Sequence, residues 1–74
     1  MKVNLACGQQ KLFGFINVDA DPWARPDVVA VPMDLPFERG SVAELHAIRV
    51  LEHLADPVAA LRYWRGFLAR AGRA

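Results

Sequence analysis

Four short apolar runs, each cut off by a turn former or a charged residue, constrain this chain more than any other feature. Val3–Ala6 stops at Cys7 and Gly8, Phe15–Val18 stops at Asp19, and Val28–Val31 stops at Pro32. The fourth, Val42–Val50, is broken by Glu44, His46 and Arg49. A brief apolar run bounded by turn signals reads as a buried strand, because a helix needs a longer periodic stretch. The expected strands are therefore Lys2–Ala6, Phe15–Val18, Val28–Val31 and Glu44–Ile48. Between them, Gly8 to Gly14 reads as a loop. Pro22 and Pro26 break structure after Asp21, since proline restricts itself and the residue before it. Pro36 to Gly40 is a further turn.

The last segment has the marks of a helix. Asp56 is a good N-cap and Pro57 suits the first helical position. Val58, Leu61, Trp64 and Leu68 recur at three- and four-residue steps, which predicts an apolar stripe on an Asp56–Leu68 helix. Arg62, Ala69 and Arg73 fall on the other side, and Gly72 is the expected stop. About four strands followed by a C-terminal helix imply an open, parallel α/β sheet in one domain, 1–74. Ligands of such sheets bind at the carboxyl ends of the strands. Cys7–Gly8, Asp19, Asp34 and Arg49–His53 would gather there.

Composition narrows the class. The chain has 74 residues, 54% of them hydrophobic and 23% charged, which argues against disorder. A formal charge of +1 supplies no global field for nucleic acid. With one cysteine, Cys7, no internal disulfide is available, and no metal site is expected. No apolar stretch is long enough for a signal peptide or a membrane span, so a soluble, cytoplasmic protein is expected.

The polar residues each have two readings. Gly8 after a strand lets a ligand approach the backbone, or is a plain turn. Asp19 can accept from a ribose diol, or close a turn. Asp34 can accept from an adenine amino group, or cap a turn. Glu52 and His53 would make an acid–base pair only if they converged, and adjacent residues point apart. His46 reads as a packed or edge residue and Cys7 as a small packing residue. Arg62, Arg65, Arg70 and Arg73 read as a solvated helix face rather than an RNA surface. Trp23 is either a lid or an exposed anchor.

Taken together and in order, Val3-Asn4-Leu5-Ala6-Cys7-Gly8, Gly14-Phe15-Ile16-Asn17-Val18-Asp19, Asp34-Leu35-Pro36-Phe37 and Val50-Leu51-Glu52-His53-Leu54 resemble class I S-adenosylmethionine-dependent methyltransferases. They are most similar to a small bacterial group with Leu-Asn-Leu-Gly-Cys-Gly in its first strand and Val-Leu-Glu-His after its fourth. The resemblance implies a doubly wound, Rossmann-like sheet. It implies that Ala6, Cys7 and Gly8 face the amino-acid end of S-adenosyl-L-methionine and that Asp19 holds the ribose. Asp34 and the backbone of Leu35 would contact the adenine, and Arg49 to Glu52 would line the pocket near the methyl group. No catalytic residue is indicated, and the methyl acceptor is unknown.

The chain departs from the pattern in four places. Ala6 stands where the group has glycine, and Arg49 where relatives often have histidine. The Cys7–Gly14 loop is short for the usual first helix. Arg70-Ala71-Gly72 falls where the family turns into its fifth strand, so the last three strands are expected to be missing. On that reading the chain is a truncated cofactor-binding half, and its alternative is a non-catalytic remnant or binding module. The fourth strand would then be an exposed edge inviting self-association, with Trp64, Phe67 and Leu68 lacking cover.

Overall fold

The computed structural model describes the backbone of residues 1–73, and all their side chains except those of 48, 49 and 70–73. The strands are β1 (Lys2–Leu5), β2 (Ile16–Asp19), β3 (Val28–Val29), β4 (Val42–His46) and β5 (Leu68–Arg73). The helices are α1 (Ile48–Leu51) and α2 (Pro57–Arg65), with a single 3-10 turn at Pro22–Ala24. The strands form one sheet in the order β3-β2-β1-β4-β5, and every pairing is parallel. The parallel sheet expected from the sequence is present, with one strand more than the four expected.

Register explains which residues are buried. Val3 lies opposite Ile16 and Leu45, and Leu5 opposite Val18. Side chains alternate across a strand, so Val3, Leu5, Val18 and Leu45 share a face. They join Ala60 and Trp64 of α2, and Phe67 beyond it, in a single buried core. Trp64 is the largest side chain to be fully enclosed, and its indole Nε1 donates to Pro32 O at 2.8 Å. That bond ties α2 to the loop after β3. The opposite face carries Asn4 beside Asn17 and His46. Phe15 covers part of it, edge-on to His46 with ring centroids 4.9 Å apart and under the Lys2 ammonium.

Asp56 caps α2 as expected, its carboxylate accepting from Ala59 N at 3.0 Å, with Pro57 in the first turn. The helix stops at Arg65, however, and not at Leu68. Leu68 pairs with Val42, and Val42 N donates to Phe67 O at 2.8 Å. Leu68–Arg73 is thus a fifth strand, and Gly72 lies inside it rather than ending a helix. A parallel partner for β4 satisfies backbone groups that a longer helix would have left open on that strand.

Three further expectations are corrected by this strand. β4 is interior, so it offers no free edge for self-association. Trp64 and Phe67 are buried within the chain itself, Phe67 against the Tyr63 ring. Arg70-Ala71-Gly72 belongs to β5 rather than to a turn before it. The buried side of α2 also differs from the predicted stripe. Ala60 and Trp64 face the core, whereas Val58 and Leu61 are 57% and 45% exposed. The expected fourth strand is shifted, since Val42 opens it and Ile48 starts α1. Val42 and Leu45 are both almost wholly buried, which anchors β4 at Val42–His46. The third run is shortened too: β3 ends at Val29, and Val31 instead forms a bridge with Asp34. No helix among the described residues is long and apolar enough to cross a membrane.

Candidate functional site

Because all strands run parallel, the chain leaves β1 and β2 at the same edge of the sheet. Leu5 and Val18 are register partners, and Cys7 N donates to Val18 O at 3.1 Å. The residues that follow, Ala6 to Gly8 and Asp19, are thereby side by side. Ala6 and Gly8 turn the chain with φ of 52° and 50°, in the left-handed region. Glycine occupies that region without a Cβ clash, but alanine does so at a cost. The glycine of the resembling group would thus have suited position 6.

The turn is locked onto the neighbouring strand. Gly8 N donates to Asp19 Oδ2 at 2.9 Å, and Asp21 N donates to Asp19 Oδ1 at 2.8 Å. Asp21 in turn caps the 3-10 turn by accepting from Trp23 N at 2.9 Å. An ionised carboxylate only accepts, and it has about four lone-pair sites. Two are used here, which leaves acceptor capacity for a pair of hydroxyls. A Cβ built on Gly8 would meet no atom within 4 Å, so the space beside that backbone is open.

Next to Asp19 lies an open cleft of about 450 Å³, lined by Ala20, Val29, Ala30, Val31, Asp34 and Pro36. Its lining side chains are apolar apart from that of Asp34. That volume is within the usual range for small-molecule sites. Asp34 is exposed, its backbone N–H closes the turn onto Val31 O, and its carboxylate accepts nothing among the described residues. Leu35 is buried, and its N–H donates to the Tyr63 hydroxyl at 3.1 Å. That donor is therefore already engaged, and Leu35 offers less to a ligand than its place in the sequence implies.

The remaining expected residues do not converge. Glu52 and His53 follow α1 and lie outside the cleft wall, 69% and 78% exposed at the side chain; the expectation that they point apart is corrected, since they approach each other at 3.5 Å across the turn that ends α1. Trp23 is 88% exposed on its 3-10 turn and is not part of the cleft wall. The expectation for the Arg49 side chain lies outside the described residues. Cys7 is buried, and that burial, followed in size by the nearby Asp19 charge, pushes its thiol pKa up. A thiol held protonated is a packing group, not a nucleophile. No group of His, Cys, Asp and Glu among the described residues is arranged to hold a metal ion.

Sequence reasoning missed the network under this turn. Asn17 Oδ1 accepts from Leu12 N at 2.9 Å and from Asn4 Nδ2 at 3.0 Å. Asn17 Nδ2 reaches Leu12 O, Phe15 O and Asp27 Oδ2. Asp27 Oδ2 also accepts from Asn17 N at 2.7 Å. Two asparagines thus organise the short loop that stands where a first helix was in question. Their signal was visible, since a polar residue inside a buried apolar run requires a partner.

Comparison with protein-family models, with curated proteins and with solved structures finds no match for this chain.

Proposed function

We propose that the chain carries the cofactor-binding elements of an S-adenosylmethionine-dependent methyltransferase with a doubly wound sheet. The single observation that carries this reading is the Gly8–Asp19 hydrogen bond, which joins the turn after β1 to the acid at the end of β2. Two of the residues that the resemblance assigns to the cofactor are thus neighbours at the carboxyl edge of a parallel sheet, where such folds take ligands. Asp19 has the acceptor capacity for a ribose diol. The apolar cleft beside it, with the Asp34 carboxylate on its wall, suits a flat base bearing an amino group.

When bound, the cofactor supplies an electrophilic methyl group. The residues of this chain bind and orient; Asp19 takes hydroxyl protons in hydrogen bonds, and Val29, Val31 and Pro36 exclude water from one side of the base. Orientation of this kind can supply much of a transfer rate. Titration calorimetry with S-adenosylmethionine and with its demethylated product tests the reading. Saturable binding that Asp19→Ala weakens supports it, and no heat with either compound overturns it.

A second reading is a binding module without turnover. It draws on the placement of Glu52 and His53, which pair with each other on the surface and do not line the cleft, so no acid–base pair faces it. Binding of the cofactor with no transfer of labelled methyl to small-molecule or RNA acceptors would favour it.

A further inference from the structure

Helix α2 has a face that the core does not use. Ala60 and Trp64 turn into the core. Val58 is followed by Leu61, Arg62 and Arg65 at steps of three, four and seven residues, which places all four on one stripe of the helix. Val58 and Leu61 are more than two-fifths exposed, and both arginines are exposed as well. The stripe is divided along its length: its first half is apolar and its last turn is cationic.

A third guanidinium joins the cationic end. A Cβ built on Gly66 would collide with the Arg39 guanidinium, so glycine lets that group lie against the chain just past α2. The Arg39 loop is held there by Gly40 N, which donates to Gly66 O at 3.1 Å. The side chains of Arg39, Arg62 and Arg65 make no ion pair or hydrogen bond with any described residue. The complement of this surface carries carboxylates at one end and apolar side chains at the other. A helix meets that demand when it runs antiparallel to α2, because acidic residues favour the first turn of a helix and basic residues the last. Its acidic start then faces the three arginines, and its later apolar turns cover Leu61 and Val58. A lipid surface fits less well, since a helix lying in a membrane interface needs an apolar face along its whole length.

We propose that the outer face of α2 docks an acidic amphipathic helix of a partner protein, antiparallel to α2, with Val58 and Leu61 as the apolar contact and Arg39, Arg62 and Arg65 as the charged one. The helix spans only about 13 Å, so the contact is small and the association weak and transient. The isotope-labelled full chain is titrated with a synthetic acetylated peptide of about four turns, long enough to be partly helical. The peptide has glutamate in its first two turns and a leucine stripe in its last two. Backbone amide shifts are followed by NMR. Saturable shifts are expected at Val58, Leu61, Arg62, Arg65 and Arg39, and none with the same peptide carrying lysine for glutamate. Arg62→Glu with Arg65→Glu should weaken binding about tenfold or more, and Leu61→Ser should weaken it without changing its salt dependence. If the charge-reversed variant does not fold, Arg62→Gln with Arg65→Gln keeps the stems and decides. Equal binding of the lysine peptide, shifts confined to other residues, no shifts at all, or an unchanged affinity in the arginine variants would overturn the proposal. So would tighter binding to phosphatidylglycerol vesicles, or dimerisation of the chain through these residues seen by light scattering. None of these residues is assigned to the cofactor, so no outcome bears on S-adenosylmethionine binding at Asp19.

Discussion

Gly8 N–H donates to Asp19 Oδ2 across the gap between β1 and β2, so the turn leaving one strand is held by the acid ending the next. The bond spans eleven residues of sequence and is charge-assisted, a stronger class than a neutral one. It makes Asp19 a structural residue before any ligand arrives.

Asp19→Ala removes the acceptor of both Gly8 N and Asp21 N. We expect a loss of about 1.5–3 kcal/mol in folding stability, the range for hydrogen bonds to a charged group. Urea unfolding followed by tryptophan fluorescence measures it. An unchanged midpoint would mean that water replaces the carboxylate without cost.

Ala6 holds φ of 52°. Ala6→Gly relieves that strain but adds freedom to the unfolded chain. The relief is the larger effect, so the variant should be more stable by up to about 1 kcal/mol. A lower melting temperature would show that the methyl group packs against something worth more than the strain.

Asn17→Ala leaves Leu12 N, Leu12 O, Phe15 O and Asp27 without the side chain that joins them. Destabilisation of about 2–3 kcal/mol is expected, since buried groups lose partners. Hydrogen exchange should speed up first at the Leu12 amide. Exchange that accelerates evenly over the whole sheet would argue against a local role for the network.

Burial and the Asp19 charge raise the Cys7 thiol above its ordinary value of 9.0. The sign follows from linkage. At alkaline pH the folded chain holds this proton more tightly than the unfolded chain does. The contribution is therefore fully present below about pH 9 and is lost as pH rises through the folded-state pKa. Wild-type stability should fall between pH 9 and higher values more steeply than that of Cys7→Ala. In the same range the native thiol should react with a disulfide reagent more slowly than in urea. Parallel pH profiles for the two proteins would remove the prediction.

Local chemistry determined a good part of this protein without any knowledge of its tertiary structure. Val3, Leu5 and Val18 sit in short apolar runs that can only be buried as strands, and Asp56-Pro57 starts a helix wherever it is placed. These depend on neighbours a few residues away, and so they are legible in order along the chain. The presence of Asp19 at a strand end is of the same kind. What Asp19 touches is not: its bond to Gly8 exists because two parallel strands put their ends at one edge. Leu68 to Arg73 shows the limit most clearly. Its apolar spacing continues the α2 pattern, and only the open hydrogen-bonding side of β4, supplied by residues more than twenty positions earlier, turns it into a strand. Asn4 and Asn17 likewise look out of place in their runs until sheet register sets them side by side. Register and strand order are set by the whole chain at once, because backbone groups must find partners that local sequence does not contain.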